Sequence, residues 1–274
     1  MRPKRSLGQN FLVDPNLQRK IVDALEAEPG DEVLEIGPGR GALTRHLVDE
    51  EPGRLILVEL DDDLSAALDS EFGGSPDVQV IHGDILELEL GQVVRDPAGL
   101  KVVGNIPYNI TTPIVFQLLE RPRPREIVLM VQKEVGERIT AAPGTSAYGA
   151  LAVGVQSVAR AERLFDVGRG AFRPRPRVDS TVVRIRPRFP PPLTPREERL
   201  LRSLTRVAFQ WRRKQFQTTL RKHPSYDLSP EEVAAVEERT GFDLTRRPER
   251  FSPEELLEIA RILDEGGRPR GEAG

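Results

Sequence analysis

Apolar residues fall along this chain in short, nearly continuous runs that alternate with stretches of helical spacing. Val33-Leu34-Glu35-Ile36, Arg54 to Glu59, Val78 to Ile81, Lys101 to Gly104 and Glu126 to Gln132 have the length and β-branched content of buried strands. Between them come Ala42 to Val48, the apolar face Leu64, Ala67 and Leu68 behind the capping run Asp61-Asp62-Asp63, Thr111 or Thr112 through Leu119, and Lys133 to Ile139, all spaced as helices. The alternation predicts an α/β fold, a mainly parallel sheet with helices on both faces. Upstream, Asp14-Pro15 joins an N-cap to a proline at the first helical position, so a helix is expected to about Ala27.

The second half reads differently. Leu151 to Val158 fits helix or strand, Val182 to Ile185 alternates as a strand does, and both are expected to complete the sheet. Pro187 to Pro195 holds five prolines, which cannot continue a helix or a central strand. The boundary is therefore set between residues 1–190 and a helical segment 191–274, with helices expected over Pro195 to Arg221, Pro230 to Thr240 and Pro253 to Glu265.

The first strand runs into Glu35-Ile36-Gly37-Pro38-Gly39-Arg40-Gly41, a strand-to-helix turn. Glycines there let the backbone approach a ligand with no Cβ in the way, and the N–H groups of the following helix face it. The second strand ends in Glu59, about 20 residues after the glycines, the distance at which a carboxylate accepts ribose hydroxyls. The third is followed by Gly83-Asp84-Ile85, again an acid at the ligand-binding edge of the sheet. An adenosine-containing ligand fits, although Gly37, Gly39 and Ala42 also satisfy the loose dinucleotide pattern.

With 274 residues, 38% hydrophobic, the chain can form one large and one small domain. It lacks cysteine, and its three histidines, His46, His82 and His223, are scattered, which argues against a metal site. No apolar run approaches a membrane span and no signal-peptide core follows the basic N-terminus, so a cytoplasmic protein without a membrane partner is expected. The net charge of −3 conceals an asymmetry: residues 160 to 222 hold 18 Lys and Arg against 5 Asp and Glu. Such a segment suits phosphate binding on an otherwise acidic protein, or reflects an Arg- and Pro-rich source composition.

Asn105-Ile106-Pro107-Tyr108 follows the fourth strand and faces the same crevice. An amide oxygen and a turn carbonyl can accept from an exocyclic amine while an aromatic ring stacks on its base. Acceptors so placed favour a nitrogen lone pair aimed at an electrophile, as in methyl transfer, which needs no general base before attack.

Glu35 to Gly41, Glu59, Gly83-Asp84 and Asn105 to Tyr108 resemble, in order and spacing, the motifs of class I S-adenosylmethionine-dependent methyltransferases. Asn-Ile-Pro-Tyr, together with Leu7-Gly8-Gln9-Asn10-Phe11-Leu12 and Phe172-Arg173-Pro174-Arg175-Pro176-Arg177-Val178-Asp179-Ser180, is similar to the rRNA adenine N6,N6-dimethyltransferases. Arg212-Arg213-Lys214 and Arg247-Pro248-Glu249-Arg250-Phe251-Ser252 favour the small-subunit (16S, kasugamycin-sensitivity) branch. The resemblance implies a Rossmann-like methyltransferase domain with a small helical domain, dimethylating two neighbouring adenosines in the 3′-terminal helix of 16S rRNA in immature 30S particles, as a monomer. It implies that Asn10, Leu12, Gly37, Gly39, Glu59, Asp84, Ile85 and Asn105 bind S-adenosylmethionine, with Glu59 on the ribose and Asp84 on the adenine amine. Asn105 and the Pro107 carbonyl would hold the target N6, Tyr108 and Phe172 would sandwich the flipped base, and Arg212, Arg213 and Lys214 would contact RNA. The chain departs from the family after Lys214, where Gln215 to Thr219 replaces the usual Thr and later Asn.

Other activities remain compatible with parts of this pattern. A methyltransferase acting on a protein Gln or Asn could use a similar Asn-Pro-aromatic loop but would not need the basic segment. A NAD-dependent oxidoreductase would need a catalytic Tyr-Lys or His pair, and none stands out. An RNA-binding assembly factor is compatible with catalysis, since the glycine turn and Asn-Ile-Pro-Tyr are intact.

Overall fold

The computed structural model describes residues 9–267, so Leu7, Gly8 and the basic N-terminal residues lie outside the described residues. In chain order the elements are β1 (Phe11–Leu12), α1 (Pro15–Asp23), β2 (Glu32–Ile36), α2 (Thr44–Asp49), β3 (Arg54–Glu59), α3 (Asp62–Phe72), β4 (Val78–His82), α4 (Leu90–Val93), β5 (Lys101–Asn105), α5 (Thr111–Leu118), β6 (Glu126–Gln132) and α6 (Lys133–Ile139). They continue with α7 (Ala150–Gln156), β7 (Ala159–Val167), β8 (Phe172–Arg173), β9 (Ser180–Pro187), α8 (Pro195–Gln210), α9 (Phe216–Lys222), α10 (Pro230–Thr240) and α11 (Pro253–Glu265).

Seven strands form one sheet in the order β4-β3-β2-β5-β6-β9-β7. The first five are parallel, and β9 pairs antiparallel with β6. The central strands β2, β3, β5, β6 and β9 are mostly apolar and buried, as strands covered on both faces require, whereas the edge strands β4 and β7 are more exposed. From β2 the chain steps outward to β3 and β4, then returns to β5 and steps the other way to β6. Right-handed crossovers in opposite directions put the intervening helices on opposite faces and leave a crevice where the connections leaving the paired strands β2 and β5 part. β1 and β8 make a separate antiparallel pair, Phe11 opposite Arg173 and Leu12 opposite Phe172.

The chain divides into two compact units, one comprising residues through Glu137 with Arg160–Pro187, the other Arg138–Ala159 with the chain from Arg188 onward. The later break lies in the proline-rich stretch. The excursion 138–159 is the difference from a single cut at residue 190. Leu151 to Val158 does not join the sheet: α7 buries Leu151, Ala152, Val153 and Val155 and packs on α8 and α11. A short helix that is apolar on several sides needs cover on several sides, and the helical unit provides it. The missing strand is β7, Ala-Arg-Ala-Glu-Arg-Leu-Phe-Asp-Val, whose charged residues suit the edge position it occupies.

In the helical unit the expected helix Pro195 to Arg221 is two helices. α8 stops at Gln210, where Trp211 leaves helical geometry, and α9 begins at Phe216. Phe216 is fully buried against Phe251, ring centroids 5.3 Å apart, and its N–H bonds to the Arg246 carbonyl at 2.9 Å. Burying that ring turns the chain, so Arg212 to Lys214 lie in a turn rather than on a helix face. α8, α10 and α11 open with complete capping boxes, Thr194–Glu197, Ser229–Glu232 and Ser252–Glu255, each with proline in the first turn, and each cap stabilises its helix by about 1 kcal/mol.

Candidate active site

Gly37, Gly39 and Gly41, between β2 and α2, all have left-handed φ, +63°, +60° and +73°. At Gly39 a Cβ would also lie 3.2 Å from the Phe11 ring, so glycine is what lets β1 lie across the turn. The Arg40 guanidinium lies over that ring, 4.5 Å from its centroid. The N–H of Gly39 donates to Glu59 Oε2 at 2.9 Å, and the N–H of Asp61, the N-cap of α3, donates to Oε1 at 2.9 Å. Glu59 is thereby fixed in position, and each oxygen keeps a lone pair for a further donor. Burial pushes its pKa up, against the pull of those two N–H groups. Gln9 reaches the same corner, donating to Asp61 Oδ2 at 3.0 Å.

Beneath the turn lies Glu35, 1% exposed, which accepts the Thr44 hydroxyl at 2.6 Å. Burial raises its pKa to about 8, and the Glu59 charge adds to the rise. On the far wall Asp84 caps a 3-10 turn, Oδ1 accepting from the Leu86 N–H at 2.9 Å, with Ile85 buried behind it. Asn105, the last residue of β5, donates Nδ2 to the Asn10 carbonyl at 3.0 Å, which turns its Oδ1 into the open acceptor. Tyr108 is half-buried, its phenol 2.7 Å from Ser180 Oγ at the start of β9. Burial and the nearby Asp179 raise the phenol's pKa, so the hydroxyl stays protonated.

Asn10, Leu12, Gly37, Gly39, Glu59, Asp84, Ile85, Asn105, Pro107 and Tyr108 thus line a single crevice. The Pro107 carbonyl already accepts from the Ile110 N–H at 3.2 Å and the Thr111 hydroxyl at 3.3 Å, both at the long end of the range. Phe172 is corrected by the structure: its ring is 0% exposed, packed in the core with Leu12 and Val182, and cannot face a base from there. The apolar cover it gives β1 outweighs an exposed role. In the helical unit Arg212 donates to the Ser146 carbonyl at 2.6 Å and lies 3.8 Å from Glu249, whereas Arg213 and Lys214 are exposed without a side-chain partner among the described residues. Sequence reasoning did not assign roles to Gln9, Phe11, Glu35, Arg40 or Ser180. Glu35 adjoins the glycines and Ser180 ends the Phe172 motif, and those positions were the available signals.

The crevice fits S-adenosylmethionine: a Cβ-free turn at Gly39, a fixed carboxylate at ribose distance, a second acid at Asp84, and two buried carboxylates whose partners are N–H and O–H groups rather than cations. The model of one protein family, ribosomal RNA adenine dimethylase, matches residues 1–265. The chain belongs to that family. It is 41% identical to the ribosomal RNA small subunit methyltransferase A of Pseudomonas syringae pv. syringae (strain B728a) over 265 residues, 96% of each chain. It is 47% identical to the protein of that name from Aromatoleum aromaticum over 223 residues, 81% of this chain and 82% of the other. Among solved structures, a dimethyladenosine transferase from Plasmodium falciparum shares the fold, with a TM-score of 0.78 at 24% identity, covering 95% of this chain and all of that one. The 23S rRNA methyltransferase ErmE matches with a TM-score of 0.71 at 30% identity over 93% of this chain and all of its own. As a ribosomal RNA adenine dimethylase the chain is an S-adenosylmethionine-dependent methyltransferase.

Proposed function

We propose that this enzyme transfers methyl groups to N6 of two adjacent adenosines in the 3′-terminal helix of 16S rRNA, acting as a monomer on immature 30S particles in the cytoplasm. No described helix is long and apolar enough to cross a membrane. The observation that carries the reading is the opening of Asn105 Oδ1 and the Tyr108 ring into the crevice that the glycine turn and Glu59 line.

S-adenosylmethionine, when bound, supplies an electrophilic methyl group. Glu59 would receive the ribose hydroxyls and Asp84 the adenine amine, and the Gly37 to Gly39 backbone would lie against the rest. Tyr108, clamped by Ser180, stacks on one face of the flipped adenine. Asn105 Oδ1 accepts an N–H of the target amine, and the Pro107 carbonyl shares it by yielding its long internal bonds. Held this way the amine's lone pair would point out of the ring plane, where the methyl group could be delivered with its bond to sulfur breaking as the N–C bond forms, and the surplus N–H proton would leave to solvent. A once-methylated amine retains one N–H for the same acceptor, so the geometry serves both additions. Arg213 and Lys214 reach RNA phosphates, with Arg212 anchoring their turn.

Methyl transfer to purified immature small subunits, followed by nucleotide mapping, tests this. N6-methylated and N6,N6-dimethylated adenosine are the expected products; methylated Gln or a methylated guanine overturns it. Asn105→Ala should lower turnover on the order of a hundredfold with the cofactor saturating, because positioning rather than proton transfer is lost.

A further inference from the structure

The segment from Arg169 to Asp179 takes no part in the site as derived so far, yet it is tied to both of its walls. At one end Arg173 and Phe172 pair with Phe11 and Leu12, which line the cofactor side. At the other the chain enters Ser180, whose hydroxyl holds Tyr108 at 2.7 Å. Residues 174–179 therefore run as a strap between the cofactor wall and the base-stacking ring. Pro174 and Pro176 fix the backbone torsion at alternate positions, and the strap also fastens itself. The Arg169 N–H donates to Asp179 Oδ1 at 3.0 Å and its Nη1 to the Arg177 carbonyl at 3.4 Å. Arg173 Nη1 donates to the Gly170 and Phe172 carbonyls at 3.1 and 2.8 Å.

Two guanidinium groups are thus used to shape the strap, and two are not. Arg175 and Arg177 are exposed and have no side-chain partner among the described residues. Several other arginines of the same unit are committed differently: Arg19, Arg45, Arg54, Arg163 and Arg184 each have a carboxylate within ion-pair distance. A stiff segment with four arginines and a single acid, Asp179, which accepts from the Arg169 N–H, lies beside a crevice whose own acids lack cations, and is suited to an anionic polymer entering that crevice.

We propose that Arg175 and Arg177 hold the RNA backbone on either side of the target adenosine, making the strap the phosphate-binding rim of the active site; this rests on the function proposed above. Two residues of extended chain span about 7 Å, so each guanidinium can take a different phosphate. Arginine's planar fork binds phosphate oxygens in pairs, and the prolines remove most of the ordering cost before RNA arrives. The two side chains are positioning residues: they fix the flanking nucleotides so that the flipped base reaches Asn105 and Tyr108.

The test uses the full chain and immature small subunits, comparing Arg175→Ala/Arg177→Ala and Arg175→Lys/Arg177→Lys with the parent. The alanine pair should raise the KM for particles about tenfold while kcat at saturation and S-adenosylmethionine affinity stay within about twofold. Its log–log salt dependence should become shallower by about 1.4, following roughly 0.7 per single-strand phosphate contact. The lysine pair should restore the salt slope and only part of the KM. An alanine pair with the parent's KM and salt slope overturns the proposal, as does one that loses cofactor affinity or turnover with its salt slope intact. Failure of the parent itself to methylate adenosine would instead overturn the proposed function, and the strap's role with it.

Discussion

At the N-terminal ends of the strands, Lys101 opens β5 with its ammonium 2.7 Å from Asp31 and bonded to the Glu26 carbonyl, and Glu126 opens β6 facing Arg184 at 2.8 Å and Arg186 at 3.1 Å. At the C-terminal ends, Glu35 and Glu59 are equally buried, but backbone N–H groups and one hydroxyl are their partners. The first edge neutralises its buried charge internally. The second leaves two carboxylates with raised pKa values whose remaining lone pairs face a crevice. Charge that the fold has already paired contributes to holding the sheet together. Charge that it has desolvated and left short of partners favours any ligand bringing hydroxyl donors or positive charge.

Lys101→Ala should have the largest effect, a loss of about 2–3 kcal/mol of stability in urea unfolding, because it strands Asp31 beside a cavity. Cofactor affinity should stay within about twofold, since the two edges share no side-chain partner. Burial alone would raise the Asp31 pKa, but hydrogen bonds from Lys101 and the Glu28 N–H more than offset this and hold it below the usual carboxylate value. Its contribution is therefore present above the unfolded pKa of about 4 and is lost as pH falls through the lower folded value. A Lys101→Met/Asp31→Asn pair should recover most of the lost stability; if it does not, the edge is held by more than this ion pair.

Glu59→Ala should do the converse. Losing two charge-assisted ribose bonds should weaken S-adenosylmethionine binding at least about thirtyfold in calorimetry, at roughly tenfold per 1.4 kcal/mol. Unfolding stability should change little, because a carboxylate with a raised pKa was already unfavourable in the folded protein. A large loss of stability with unchanged cofactor affinity would make the two edges alike.

The smallest effect is expected from Glu35→Gln, read as a pH profile. With a folded pKa of about 8 against an unfolded value of about 4, the folded protein binds the extra proton, so stability falls as pH rises between these values and levels off above them. Glutamine keeps an acceptor for Thr44 without titrating, and should flatten that slope. An unchanged profile would show that Glu35 is ionised when folded.

Legibility in the sequence followed how local each cause was. The strands 33–36, 54–59 and 126–132 and the capped starts of α1, α3, α10 and α11 were readable because burial period and cap chemistry are written within a few residues. Most of the crevice was readable too, since glycines and acids at strand ends converge by topology alone. What was not readable depended on distant partners. β7 looks too polar for a strand until β9 is beside it. α8 ends at Gln210 because Phe216 is drawn to Phe251. Phe172 looked available for stacking, and only its pairing with Leu12 shows that its ring is committed to the core.

That pairing also sets a schedule for synthesis. Phe11 and Leu12 leave the ribosome about 160 residues before the strand that holds them across the glycine turn. At roughly 5–20 residues per second this is an interval on the order of ten to thirty seconds. Throughout it β2, β3 and their glycine turn can form with one wall of the crevice absent. The enzyme's pocket is therefore closed by one of the last strands of its domain to be made, and a nascent chain shorter than that carries the motifs of a methyltransferase without a finished place to bind its cofactor.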